Sequence, residues 1–136
     1  MTKHFKLKEF TDSDKATELN INNTPNDEEL NNIKFVAEQL EILRNTYKQP
    51  IYITSGYRCE ELNKAVGGAV NSWHKKGLAV DINQGSQTRN HNLFIIIKRL
   101  MKLGYPVEEL INEYNYSWVH IAFAKENPQL KIKHKK

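Results

Sequence analysis

Two histidines and one aspartate offer the plainest chemistry in this chain. His74 and Asp81 lie in Ser72-Trp73-His74-Lys75-Lys76-Gly77-Leu78-Ala79-Val80-Asp81, and His120 lies in the later segment Ser117-Trp118-Val119-His120. Asp81 sits inside the apolar run Leu78-Ala79-Val80-Asp81-Ile82. An acid half buried there needs a charge partner, because uncompensated burial costs several kcal/mol or forces protonation. A divalent metal is one such partner. Two imidazoles and a carboxylate supply three ligands of a tetrahedral zinc site and leave the fourth position for water, which is a hydrolytic arrangement. A structural ion pair between Asp81 and Arg58 is the other.

These side chains need elements to position them. Thr24 as cap, Pro25 at the first helical position and Asp27, Glu28 and Glu29 behind it read as a helix start. Leu30, Ile33, Val36 or Ala37, Leu40, Leu43 and Tyr47 then recur at helical spacing, so one face is apolar over about six turns until Pro50 stops it. Ile51 to Thr54 reads as a strand, Cys59 to Val66 as a helix closed by Gly67-Gly68, and Leu78 to Ile82 as the next strand. After a polar loop from Gly85 to Asn90, with Thr88 as cap, Leu93 to Leu103 reads as a helix apolar almost all round. Leu110 to Tyr114 and Trp118 to Phe123 flank Asn115-Tyr116 as a hairpin. Intermixed helices and antiparallel strands make the fold class α+β, a small single domain with a central antiparallel sheet flanked by helices.

The hairpin carries a further consequence. With an even number of loop residues Glu113 falls opposite Trp118, and alternation puts Glu113, Trp118 and His120 on one face. A carboxylate beside a metal-bound histidine is where a general base for a metal-activated water would stand. The plainer alternative for Glu113 is an exposed hairpin charge. Trp73 and Trp118 read equally as packing residues or as pocket walls.

Composition narrows the class. The chain has 136 residues, with 39% hydrophobic and 26% charged, which fits one soluble globular domain. Twenty Lys+Arg against sixteen Asp+Glu leave +4, part of it in Lys131 to Lys136. We assign residues 1–128 to the domain and 129–136 to a basic tail whose plain reading is a solvated, frayed end. No aromatic platform interleaves with that charge, so nucleic acid is not expected as a partner. No run is apolar enough to span a bilayer, and Met1-Thr2-Lys3-His4 opens no signal peptide, so cytoplasmic synthesis is expected. The single cysteine, Cys59, rules out an internal disulfide.

The order Ser55-Gly56-Tyr57-Arg58, Asn63, Val66-Gly67-Gly68, Ser72-x-His74-x-x-Gly77-x-Ala79-x-Asp81, then Trp118-Val119-His120 resembles the zinc D-Ala-D-Ala carboxypeptidase family. The nearest branch groups small D,D-carboxypeptidases with phage murein endopeptidases. The opening His4-Phe5-x-Leu7-x-Glu9-Phe10 and the Asn23-x-Pro25 helix start are similar to it as well. The resemblance implies a Hedgehog/D,D-peptidase-like fold, Zn2+ held by His74, Asp81 and His120, and Arg58 binding a carboxylate of the substrate. It also implies a peptidoglycan peptide as that substrate, with Ser72, Trp73 and Trp118 beside it. Related branches carry the base three positions before the last histidine, where this chain has Ser117, and Glu113 is the nearest preceding acid. The implied activity is hydrolysis of a bond in the peptidoglycan stem or cross-bridge, by a monomer that reaches the wall after release or is carried by a virion. The alternative is a non-catalytic wall-binding module with a structural zinc. A zinc deaminase would want a Cys-x-x-Cys pair, which is absent.

Overall fold

The computed structural model describes residues 1–136. Phe5 and Phe10, each 1% exposed, pin an N-terminal arm that forms two short helices, α1 (Leu7–Thr11) and α2 (Asp14–Glu18). The long helix α3 (Asp27–Tyr47) follows. Its cap is Asn26 and not Thr24, because Asn26 and Glu29 satisfy each other's backbone N–H groups reciprocally, at 2.8 and 2.9 Å. Thr24 spends its hydroxyl on Asn22 instead. Ile33, Val36, Ala37, Leu40 and Leu43 form the buried stripe of α3 as the spacing predicts, and Lys48 ends the helix in a left-handed conformation two residues before Pro50.

Strand β1 (Ile53–Ser55), helix α4 (Glu60–Ala65), a 3-10 turn (Trp73–Lys76) and strand β2 (Ala79–Ile82) follow in order. Helix α5 (Gln87–Lys102) is capped by Ser86, whose Oγ accepts from the Arg89 N–H, rather than by Thr88. It is not apolar all round. Leu93, Phe94, Ile97 and Met101 are buried, whereas Lys98, Arg99 and Lys102 are exposed, so α5 covers the sheet with one face. Strands β3 (Val107–Glu113), β4 (Trp118–Phe123) and β5 (Lys131–Lys135) complete the chain.

The sheet order is β1-β2-β4-β3-β5. All neighbours are antiparallel except β3 and β5, so the α+β class holds with a mixed sheet in place of the antiparallel one expected. The end of the chain is likewise no frayed tail, since residues 131–135 pair along β3 from Glu109 to Glu113. Composition could not show this. The strand is exposed at every residue and carries no apolar stripe to betray it.

Alternation divides the sheet into two faces. Val80, Ile82, Leu110, Val119, Ile121 and Phe123 point into the core shared with α3 and α5. Asp81, His120 and Ile111, paired across β2, β4 and β3, stand on the other face. Sealing the core face removes several large side chains from water, each worth roughly 1.5–3 kcal/mol. That face therefore sets the register, because a slip of one residue would bury the polar row instead.

A four-residue loop, 114–117, joins β3 to β4 and keeps Glu113 opposite Trp118, as the parity reading requires. Tyr114, Asn115 and Tyr116 are all left-handed, with φ of 49°, 55° and 60°. Three side-chain anchors offset that strain. Asn112 Oδ1 accepts from the Tyr116 N–H (2.5 Å), Ser117 Oγ donates to the Tyr114 carbonyl (2.7 Å), and Asn90 Nδ2 donates to the carbonyls of Tyr116 (2.9 Å) and Ser117 (3.1 Å). Asn90 is 1% exposed and its Oδ1 also accepts from the Gln84 N–H. Asn90→Ala removes the loop's anchor and leaves the buried Gln84 N–H unpartnered, so it should lower unfolding stability by about 1–3 kcal/mol in denaturant titration. An unchanged midpoint would show that the loop stands without this anchor.

Candidate metal centre

His74 is placed by its backbone before its ring is considered. Ser72 Oγ caps the 3-10 turn by accepting from the His74 N–H (3.2 Å), and Gly77 closes the turn at φ 76°, where its missing Cβ would otherwise sit 2.8 Å from the Glu29 carbonyl oxygen. His74 Nδ1 donates to the Gly56 carbonyl at 2.7 Å, which fixes the tautomer and leaves Nε2 as the free donor atom. Gly56 is itself pressed against Phe10, where a Cβ would lie 2.5 Å from the carbonyl oxygen. That carbonyl already accepts from the Tyr57 N–H, so it has no room to withdraw.

The three predicted ligands converge. His74, Asp81 and His120 each offer a donor atom within 4.8 Å of the others. Asp81 Oδ1 lies 3.3 Å from His74 Nε2 and 3.0 Å from His120 Nδ1, and the two rings meet edge to face at 5.1 Å. Zinc bonds of 2.0–2.1 Å imply donor atoms about 3.3 Å apart in a tetrahedron. The spacing and chemistry of the set, two imidazole nitrogens and a carboxylate oxygen, fit such an ion with one position left open. Arg58, the rival partner, takes the other oxygen of the same carboxylate, with Nη2 3.5 Å from Asp81 Oδ2. Ser55 and Asn63 hold the rest of its guanidinium. The two readings of Asp81 therefore coexist, one on each oxygen.

A residue that sequence reasoning missed completes the cluster. Glu109 Oε1 lies 3.0 Å from His120 Nε2, and its other oxygen is 3.3 Å from Lys133 Nζ on β5. Glu109 and Glu113 both stand two residues from Ile111, the partner of His120, so the alternation that nominated Glu113 nominates Glu109 equally. Only the folded strand shows which carboxylate bonds to the ring. Glu113 is 7% exposed and lines the same cavity, of about 560 Å³, with Arg58, Trp73 and Trp118. Both tryptophans are partly exposed at its wall, Trp73 under Lys76 and Trp118 against Tyr114. Ser72 lines it too.

The electrostatics follow from this geometry. Burial opposes ionisation of Asp81, but hydrogen bonds from His120 and His74 outweigh it and hold the carboxyl well below the usual range. Burial likewise opposes charge on His120, yet its bonds to Asp81 and Glu109 push its pKa up to about 9. The bond from His120 draws Glu109 below the ordinary carboxylate range. Facing a carboxylate oxygen on each nitrogen favours the doubly protonated ring when no metal is bound. A metal held at Nδ1 would take the place of one of those protons, with Nε2–H left on Glu109 to orient the ring.

A family model described as Peptidase M15 matches residues 3–122. No curated protein matches the chain. No helix is long and apolar enough to cross a membrane.

The signs of these shifts set two expectations. The raised His120 pKa stabilises metal-free protein fully below its ordinary 6.5, and that contribution is lost as pH rises through about 9. The depressed Asp81 pKa contributes above its ordinary 3.8 and is lost as pH falls through its lower folded value. Chelator-treated protein should therefore lose thermal stability between pH 7 and about 9, and His120→Gln should flatten that slope. Zinc affinity measured by competition should rise over the same interval, because binding releases the Nδ1 proton. An affinity independent of pH would contradict a charged His120.

Proposed function

Because the chain belongs to the peptidase M15 family, we propose that its His74, Asp81 and His120 hold zinc and that it hydrolyses a peptide bond of the peptidoglycan stem or cross-bridge. The observation that carries this reading is the single carboxylate oxygen of Asp81 within 3.3 and 3.0 Å of two imidazoles, on the floor of an open cavity. When bound, zinc supplies Lewis-acid polarisation of a carbonyl and acidification of a water.

The residues of the chain divide the remaining work. His74 and His120 present Nε2 and Nδ1 because Gly56 and Glu109 occupy their other nitrogens. Glu109 is thereby committed to orienting a ligand. That leaves Glu113 as the cavity carboxylate free to take a proton from water and return it to the leaving amine. Arg58, held by Ser55, Asn63 and Asp81, offers a planar fork to a substrate carboxylate and fixes the peptide against the attacking water. Trp73 and Trp118 give the cavity apolar walls that limit water around the scissile bond.

Defined muropeptides incubated with zinc-loaded protein, with and without chelator, test this by product mass. Cleavage should require metal and should vanish in Asp81→Asn. Glu113→Gln should lower kcat by about 10²–10⁴ with zinc content retained. Glu109→Gln should chiefly weaken metal binding, by about 10–100-fold. If Glu113→Gln retains full activity while Glu109→Gln abolishes kcat with zinc still bound, the two roles are exchanged. Intact muropeptides under every metal condition would leave a centre whose metal only ties strands together.

A further inference from the structure

We propose that β5 builds an anion-binding subsite into the cavity, with Lys135 as its binding group, and that the substrate is a peptide bearing a second carboxylate on the side away from Arg58. This rests on the peptidase reading above for the direction of the substrate, and on β5 for everything else.

The strand lies beyond residue 122, where the family match stops. It pairs in parallel with β3 and sets Lys133 beside Ile111 and Lys135 beside Glu113. Alternation then sorts its side chains. Lys133 and Lys135 line the same cavity as His74, Asp81 and His120. His134 points the other way, with its Nδ1 3.0 Å from Asn112 Nδ2 and its ring 5.6 Å from Phe94 of α5. The back of the strand is thus anchored, and the front is a cationic rim.

The two lysines are not equivalent. Lys133 is consumed by Glu109, the carboxylate that orients His120. Lys135 joins no ion pair within 4 Å, not even with its register partner Glu113, and lies over the Tyr114 ring at 5.5 Å. An ammonium resting on an aromatic face at a cavity mouth keeps its donors available to an incoming anion. Arg58 stands at the other end, beside Asp81 on β2.

Between these poles the register runs Asp81, His120, Ile111, Lys133 across β2, β4, β3 and β5. Three inter-strand gaps of about 4.8 Å span roughly 14 Å, which is the reach of about four extended residues. A peptide laid across the strands therefore meets Arg58 with one carboxylate, the metal centre with its scissile bond, and Lys135 with a carboxylate further along. Its amidated counterpart offers Lys135 only a neutral dipole and loses the charge-assisted bond.

Matched synthetic stem peptides, alike except for a free carboxylate or a primary amide at the position reaching β5, test this on the zinc-loaded chain. Dissociation constants come from calorimetry at times before cleavage, and kcat/KM comes from product masses. Wild type should bind the acid about tenfold more tightly than the amide, the size of one charge-assisted contact. Lys135→Ala should bring that ratio to about one, and Lys135→Glu should invert it, as expected when the attracting charge is reversed. Lys131→Ala removes a charge from the same face of β5 outside the cavity lining and should keep the discrimination. Acid preference that depends on Lys135 without cleavage of either peptide upholds the subsite and overturns the peptidase reading. Cleavage of both with no preference, or a preference that survives Lys135→Ala, overturns the subsite alone. Neither cleavage nor preference overturns both.

Discussion

The site depends on the carboxylate of Asp81. Its strand is sealed into the sheet on both sides, by β1 and by β4, so the acid cannot reach bulk water by moving its backbone. It is tolerated because His74, His120 and Arg58 surround it with three donors, two on one oxygen and one on the other. Each of those partners is in turn held by a second contact: His74 by the Gly56 carbonyl, His120 by Glu109, and Arg58 by Ser55 and Asn63. A buried charge network is stable only when every member is satisfied, and here the chain of partners runs out to solvent through Lys133.

The same network explains why the geometry is ready for a cation. Both imidazoles have one nitrogen occupied, so the other two nitrogens converge on Asp81 with little rotational freedom left to lose. A metal held there would take the place of one proton and otherwise use what the protein has already ordered. This preorganisation is local to the sheet. The 3-10 turn that delivers His74 is secured from outside it, by α1 through Gly56 and by α3 through Gly77 and Asn32, whose Nδ2 donates to the Lys76 carbonyl. The long helix and the N-terminal arm thus serve the centre without contributing a ligand.

The sheet keeps two tasks apart by alternation alone. Its apolar face is closed by α3 and α5, and the stability gained there fixes the register that lines up Asp81, His120 and Ile111 on the opposite face. The price is that the functional face lies open along β3, where an unpaired edge would invite association. β5 covers that edge with a strand of alternating lysines, which both ends the sheet and charges the rim of the cavity.

Much of this was legible in the chain. The apolar stripe of α3 follows from local periodicity, the pairing of Glu113 with Trp118 follows from alternation once the loop is even, and the set His74, Asp81 and His120 follows from residue chemistry together with the family resemblance. Sequence puts the cap of α3 at Thr24, two residues early, because Thr24-Pro25 and Asn26-Glu29 both have capping chemistry and only the reciprocal bonds decide between them. Glu109, Lys133 and the strand β5 were not legible. They meet through a parallel pairing across more than twenty residues, and an exposed lysine-rich segment has no hydrophobic pattern to announce its partner. Sequence determined which side chains could bind a metal and which face of each strand they share, since both are properties of residue type and a period of two. The tertiary structure decided which carboxylate orients His120 and which cations border the cavity, since both depend on distances between strands whose order the chain does not spell out.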